Sequence, residues 1–245
     1  MRIAAAGDIH ADERVRDRVE ESFERVAGSA DLILLAGDLT AHGDPAEAAV
    51  VADACRLTEL PVYSVLGNHD LHSGHGAQVA AICATAGIHM LDRSSTVYEL
   101  GGGEVGVVGT KGFVGGFAGS ALPDFGEPLL RQCYAETTAE VDAIHRGLQE
   151  IAHCAVRIVL LHYSPTADTL LGEPEGIWTY LGCDRLATPI AEHRPDVVLH
   201  GHAHAGSFEG AIGTVPVYNV AVHVTRRDFY VFDLEGHAVE VETPA

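Results

Sequence analysis

The chain has 245 residues, 47% of them hydrophobic, which is enough for one substantial core and is expected to form a single domain over 1–245. Its formal net charge of -20, from 35 acidic against 15 basic residues with no Lys/Arg run, argues against extended nucleic-acid binding. Five scattered cysteines without a CxxC pair argue against a disulfide framework or a zinc ribbon; without an 18-residue apolar run or a signal-like start, no membrane association and a cytoplasmic location are expected.

The first half alternates short apolar runs with helical patterns. Strands are expected over 2–6, 32–36 and 62–66, with helices over about 13–27 and 45–60, the second opened by Pro45. The apolar runs are continuous rather than alternating, as in strands buried on both faces. A third helix is expected over about 77–86. The pattern then changes: 96–100 and 105–108 flank three glycines and suggest a hairpin. A long helix over 128–152 precedes a buried strand at 157–162, a helix over 184–193, a strand at 197–200, and further strands at 215–220 and 229–234. This order fits an α/β fold, an αββα sandwich of two mixed β-sheets flanked by helices.

Five polar motifs directly follow the expected buried strands: Asp8-Ile9-His10, Gly37-Asp38, Gly67-Asn68-His69-Asp70, His162, and Gly201-His202-Ala203-His204. Loops at the carboxyl ends of strands in an α/β sheet converge on one edge, so these side chains would gather around one point. Each motif alone is a common loop or turn feature. Together they form a ligand set of imidazoles and carboxylates that suits zinc, manganese or iron better than calcium.

In this order the motifs resemble the calcineurin-like metallophosphoesterase superfamily, and the likeness spans Asp8 to His204. The stretch from Gly37 to Pro45 is most similar to bacterial phosphodiesterases of the cyclic-nucleotide (Icc-like) branch. The resemblance implies two divalent metal ions and hydrolysis of a phosphate ester, chiefly a small phosphodiester, by attack of metal-bound hydroxide. One metal would be held by Asp8, His10, Asp38 and His204, and the other by Asp38, Asn68, His162 and His202, with Asp38 bridging. His69 would face the substrate and protonate the leaving oxygen or stabilise developing charge. Asp70 would orient the His69 imidazole, cap the helix that starts there, or do both.

Departures from the pattern narrow the expectation. The protein phosphatases of this superfamily place arginines where His42 and Leu66 stand here, and Glu where Asp70 stands, so the bidentate phosphate donors of that branch are missing. Cyclic-nucleotide phosphodiesterases often have Asp where Ala41 stands and Arg where Leu71 stands. Two rival readings are a non-catalytic metal-binding scaffold of the same fold and a DNA exonuclease; the intact His69 opposes the first and the acidic balance the second.

Other histidines sit near the motifs. His42, His72 and His75 fall in the same loops, where a solvated side chain is the default, and His89, His145, His153, His193 and His237 have no motif context. The stretch Lys111-Gly112-Phe113-Val114-Gly115-Gly116-Phe117 carries the chain's only lysine. It is either a surface loop or a lid over the metals, with Phe113 and Phe117 stacking on the substrate; Trp178 and Tyr180 invite the same idea.

Overall fold

Residues 2–36 already show the plan of the molecule: in the strand 32–36 every side chain is buried, with Leu32, Leu34 and Ala36 on one face and Ile33 and Leu35 on the other. A strand apolar on both faces has to be covered twice. The computed structural model describes residues 1–100, 103–234 and the backbone of 240–241; Gly101, Gly102 and His237 lie outside the described residues.

In chain order, β1 (Arg2–Ala6), α1 (Arg16–Ala27), β2 (Leu32–Ala36), α2 (Pro45–Cys55), β3 (Val62–Val65), α3 (Asn68–His72), α4 (Gly76–Thr85) and β4 (Ile88–Met90) form the first half. The antiparallel pair β5 (Ser94–Leu100) and β6 (Gly103–Gly109) follows, then the small hairpin β7 (Gly116–Phe117) and β8 (Ser120–Ala121). The second half comprises α5 (Pro128–Glu150), β9 (Val156–Leu160), α6 (Trp178–Leu181), α7 (Ala187–His193), β10 (Val197–His200), β11 (Glu209–Ile212), β12 (Val215–Asn219), α8 (Val222–Thr225), β13 (Tyr230–Asp233) and β14 (Glu240–Val241).

Two six-stranded mixed sheets result, in the orders β14-β13-β1-β2-β3-β4 and β11-β12-β10-β9-β6-β5. In the first, β1 to β4 are parallel; in the second, β6, β9, β10 and β12 are parallel. Ile3, Leu34, Val65, Val107, Leu160 and Leu199 belong to the core layer between the sheets. Outside it, Phe23, Ile33 and Leu35 pack with Val50 and Val79 of α2 and α4, while Ile144, Leu148 and Ile190 of α5 and α7 pack on Val159 and Val198. This is the αββα sandwich expected from the sequence.

Differences from the sequence reading are local. The helix expected to reach 60 ends at Cys55, since Pro61 holds the residue before it out of helical backbone and the chain needs a turn to reach β3. The short elements β4, β7, β8, β11, α3 and α8 carry too little periodicity to be read from sequence. Among the described residues, no helix is long and apolar enough to cross a membrane.

Candidate metal centre

The loops after β1, β2, β3, β9 and β10 meet at one edge of the sandwich. Their backbones are held in conformations that side chains rarely adopt: Asp8, His10, Asp38 and His202 have φ values of 58°, 47°, 50° and 72°. Left-handed backbone at non-glycine residues is a local strain that the surrounding fold must offset, and it clusters where function needs a side chain aimed one way. Flanking glycines let the loops approach. A Cβ added at Gly67 would lie 2.1 Å from Asp38 Oδ1, and one at Gly201 would lie 2.3 Å from Asp8 Oδ2.

Two overlapping groups of side chains result. Asp8, His10, Asp38 and His204 offer ligand atoms within 4.8 Å of one another, as do Asp38, His162 and His202. Asn68 adjoins the second group, with its Oδ1 2.9 Å from His162 Nε2. Asp38 belongs to both groups: its Oδ1 is 3.4 Å from His162 Nε2 and its Oδ2 is 3.9 Å from His10 Nε2. The seven side chains named from sequence as ligands are therefore gathered in one place.

The hydrogen bonds around the imidazoles decide which nitrogens carry lone pairs. A carbonyl only accepts, so His162 Nδ1, 2.9 Å from the Ala36 carbonyl, bears the proton and Nε2 is left as an acceptor. That acceptor faces Asn68 Oδ1, another acceptor. Two lone pairs at 2.9 Å repel unless a cation lies between them. His202 Nε2 similarly donates to the Tyr180 carbonyl at 3.1 Å, leaving Nδ1 available. Asp38 Oδ2 is buried and, among the described residues, has no hydrogen-bond partner. A buried orphan carboxylate oxygen costs free energy in the bare protein. Divalent cations remove each of these conflicts at once, so the residues present fit the two ions that the motifs imply.

The electrostatics agree. Burial, followed by the charges of Asp8 and Asp70, pushes the Asp38 carboxyl up to about 9. Burial also acts to raise Asp8, but the His204 hydrogen bond and the neighbouring imidazoles outweigh it and hold that carboxyl below the usual carboxylate range. Burial lowers His10 to about 4 and pulls His162 and His202 down as well, keeping these imidazoles neutral and able to ligate. His204 moves the other way, chiefly through its 2.8 Å hydrogen bond to Asp8.

His69 stands beside the groups rather than within them. Its ring centroid is 4.5 Å from that of His10. Its Nδ1 donates to the Ala41 carbonyl at 2.6 Å, which fixes the ring and leaves Nε2 as the unbonded nitrogen among the described residues. The orienting contact expected from Asp70 is not formed. Asp70 is fully buried, and its carboxylate accepts from Leu39 N (3.2 Å), Thr40 N (2.9 Å), Thr40 Oγ1 (2.7 Å) and Gly67 N (2.8 Å). The bond from Gly67 caps α3; the others tie the Asp38 loop to the Asn68 loop. Four donors converge on the Asp70 carboxylate, and the His69 Nδ1 proton goes to the Ala41 carbonyl instead. Asp70 positions the loop that carries Asp38, and a main-chain carbonyl takes the part assigned to it.

His223 was missed from sequence. On the short helix α8, its ring stacks on His204 at 4.3 Å and 11° and stands 5.8 Å from His10. Four residues of helix after β12 leave no periodic signal, and no motif marks it. His42 bonds Glu47 at its own loop, while His72 and His75 are exposed. Of the two readings of the 111–117 stretch, a lid cannot use Phe117 as a stacking ring, because Phe117 is buried with Leu170, Leu181 and Ala203. Trp178 packs against that cluster, and its indole donates to the Glu173 carbonyl.

The family model for calcineurin-like phosphoesterases matches residues 1–206. The chain belongs to this family. No curated protein sequence matches it significantly. Among solved structures, the fold is similar to that of a Thermus thermophilus protein, at 20% identity and TM-score 0.61 over 99% of this chain and 98% of that one. It is also similar to phosphopantetheinyl hydrolase from Mycobacterium tuberculosis, at 14% identity and TM-score 0.63 over 91% and 90% of the two chains. At such identities these likenesses concern the fold alone. The family uses divalent metals, and the two overlapping side-chain groups are where this chain offers ligands for them.

Proposed function

We propose that the protein is a dinuclear metal-dependent phosphoesterase acting on a small phosphodiester. The observation that carries this reading is Asp38: one buried carboxylate, shared by two ligand groups, with an oxygen that has no other partner. Asp8, His10, Asp38 and His204 would hold one ion, and Asp38, Asn68, His162 and His202 the other, with manganese, iron and zinc as the metals suited to these ligands. When bound, the ions supply Lewis acidity toward a phosphoryl oxygen and make a nucleophile available at neutral pH.

The chain's own residues do the rest. The Ala36 and Tyr180 carbonyls fix the tautomers of His162 and His202, so their lone pairs point inward without reorganisation. His204, bonded to Asp8, keeps that carboxylate ionised. His69, held at Nδ1 by Ala41, presents Nε2, which in the imidazolium form can deliver a proton to the departing oxygen. The phosphodiester preference is supported by the absence of an arginine pair at His42 and Leu66, which would grip a dianionic monoester. Five free cysteines fit the reducing cytoplasm.

The test is hydrolysis of bis(4-nitrophenyl) phosphate and of 4-nitrophenyl phosphate by protein loaded with manganese, iron or zinc, before and after chelation. Activity on the diester that vanishes on chelation and returns with metal is expected. Full activity in protein verified as metal-free would overturn the mechanism, and a faster reaction with the monoester would overturn the substrate class.

A further inference from the structure

At the end of the sandwich opposite the metal centre, α5 and α7 carry another cluster of ligating side chains. α7 ends at His193 and the chain re-enters the sheet at Val197, the amino end of β10, whereas His202 and His204 follow that strand's carboxyl end. The two helices pack through Ile144, Leu148 and Ile190. Beside that contact His145 of α5 meets Glu192 and His193 of α7, with ligand atoms within 4.8 Å of one another. None of the three has a part in the proposed reaction.

Their spacing is that of ligands around one small cation. His145 Nδ1 lies 3.1 Å from His193 Nε2 and 3.7 Å from Glu192 Oε2. Tetrahedral zinc, with bonds of about 2.0–2.1 Å, sets its ligand atoms about 3.3–3.4 Å apart, between these two values. The end of α7 is fixed from behind, where the Arg157 guanidinium donates to the His193 and Arg194 carbonyls at 3.0 and 2.7 Å. Glu192 is exposed and makes no hydrogen bond among the described residues, so its carboxylate is free to turn inward.

Gln149, one turn further along α5, supplies the orienting partner that a ligating imidazole needs. Its Nε2 is 2.9 Å from His145 Nε2. An amide nitrogen only donates, so without metal His145 Nε2 accepts and the ring proton sits on Nδ1, bonded to His193 Nε2. Turning the amide over presents Oε1 instead; the proton then sits on Nε2 and the Nδ1 lone pair is free. His193 keeps its proton on Nδ1 throughout, with Nε2 as the ligand. Both rings stay neutral, so neither gives up a proton to take a cation. The group of Glu104, His153 and Cys154 lacks such support: among the described residues no hydrogen bond holds the His153 ring.

We propose that His145, Glu192 and His193 form a separate zinc site, binding through His145 Nδ1, His193 Nε2 and the Glu192 carboxylate, and that the ion clips α5 to α7.

Full-length protein is stripped by chelation and titrated with zinc against a chromophoric chelator, and the ions bound per chain are counted. His193→Ala should bind one zinc fewer than wild type. Gln149→Ala, which removes only the orienting amide, should weaken that same equivalent about 10–100-fold. Glu192→Gln, at an exposed position, leaves the hydrogen bond between the rings in place and should weaken it at least as much. In nitrogen NMR of the imidazoles, zinc should move the His145 Nδ1 and His193 Nε2 signals and leave the His145 proton on Nε2. Asp38→Asn should retain the His193-dependent equivalent, which keeps this site distinct from the metal centre whether or not that centre holds two ions. Equal zinc counts for wild type and folded His193→Ala would overturn the proposal. So would unchanged affinity in Glu192→Gln, imidazole signals that zinc leaves unmoved, or loss of the equivalent in Asp38→Asn.

Discussion

The two sheets contribute different chemistry to the same edge. Loops of the first sheet bring both carboxylates, Asp8 and Asp38, with Asn68, His10 and His69; loops of the second bring only imidazoles, His162, His202 and His204. Neither half is a site alone. In the proposed reading the carboxylates would supply the negative charge that draws divalent cations, and the opposite sheet would complete the coordination with imidazole nitrogens. Within the first sheet the two aspartates also differ. Asp8 is satisfied in the bare protein by His204 and by the main-chain N–H of His202 (2.9 Å to Oδ2), whereas Asp38 keeps an unpartnered oxygen. One aspartate helps to join the sheets; the other, among the described residues, keeps a buried oxygen without a hydrogen-bond partner.

That contrast makes the largest prediction. Asp38→Asn should remove the shared charge, so that metal content per chain falls for both ions and turnover drops to the uncatalysed background; elemental analysis with kinetics reads both. Two tightly held ions with normal turnover would show that the contrast between the aspartates is false.

The next effect belongs to His69, which has a place in neither ligand group. His69→Ala should keep metal content near that of wild type and lower turnover by roughly 10²–10⁴-fold for a diester with an alkoxide leaving group. With nitrophenolate, which departs with little protonation, the loss should be smaller. Equal losses for both leaving groups would favour charge stabilisation over proton donation, and loss of a metal would place His69 among the ligands.

Asp70 joins two loops of the first sheet and should act through structure. Asp70→Asn replaces an acceptor of four hydrogen bonds with an amide that has to turn donors toward main-chain N–H groups. Stability should fall by about 1–3 kcal/mol in denaturant unfolding. The metal affinity of the Asp38 group should weaken with it, since the loop holding that carboxylate is no longer tied down. Lowered turnover with unchanged stability and metal binding would restore the direct role in orienting His69.

The smallest effect is a pH dependence of the metal-free protein. In the folded chain the Asp38 carboxyl is pushed up to about 9, whereas in the unfolded chain it returns to the ordinary value of 3.8. Between these values the unfolded state has released a proton that the folded state keeps, so this group's contribution to stability falls as pH rises. His10, lowered to about 4, has the opposite slope, but only below about pH 6.5, where its unfolded form gains a proton. Above pH 7 the Asp38 effect stands clear of it. The Tm of chelated wild-type protein should therefore decline from pH 7 to 9 more steeply than that of chelated Asp38→Asn, and metal should abolish the difference. Parallel curves would mean that Asp38 is already ionised and partnered without metal.

The sequence by itself determined the layer architecture and the ligand types. Continuous apolar runs as short as Leu32–Ala36, bounded by turn residues, fit strands buried on both faces, and a motif of Asp, Asn or His directly after each such run places these groups at strand ends. These are local facts, carried by burial and chain order. Tertiary structure decided what depends on contacts between distant segments. It turned Asp70 toward Thr40 and Gly67, gave the orienting of His69 to the Ala41 carbonyl, buried Phe117 in a small core, and set His223 against His204. Each of these depends on where a side chain or carbonyl from another loop arrives when the sheets pack, and a hydrogen bond formed across 30 residues, or a ring stacked across 19, leaves no periodic trace in the chain.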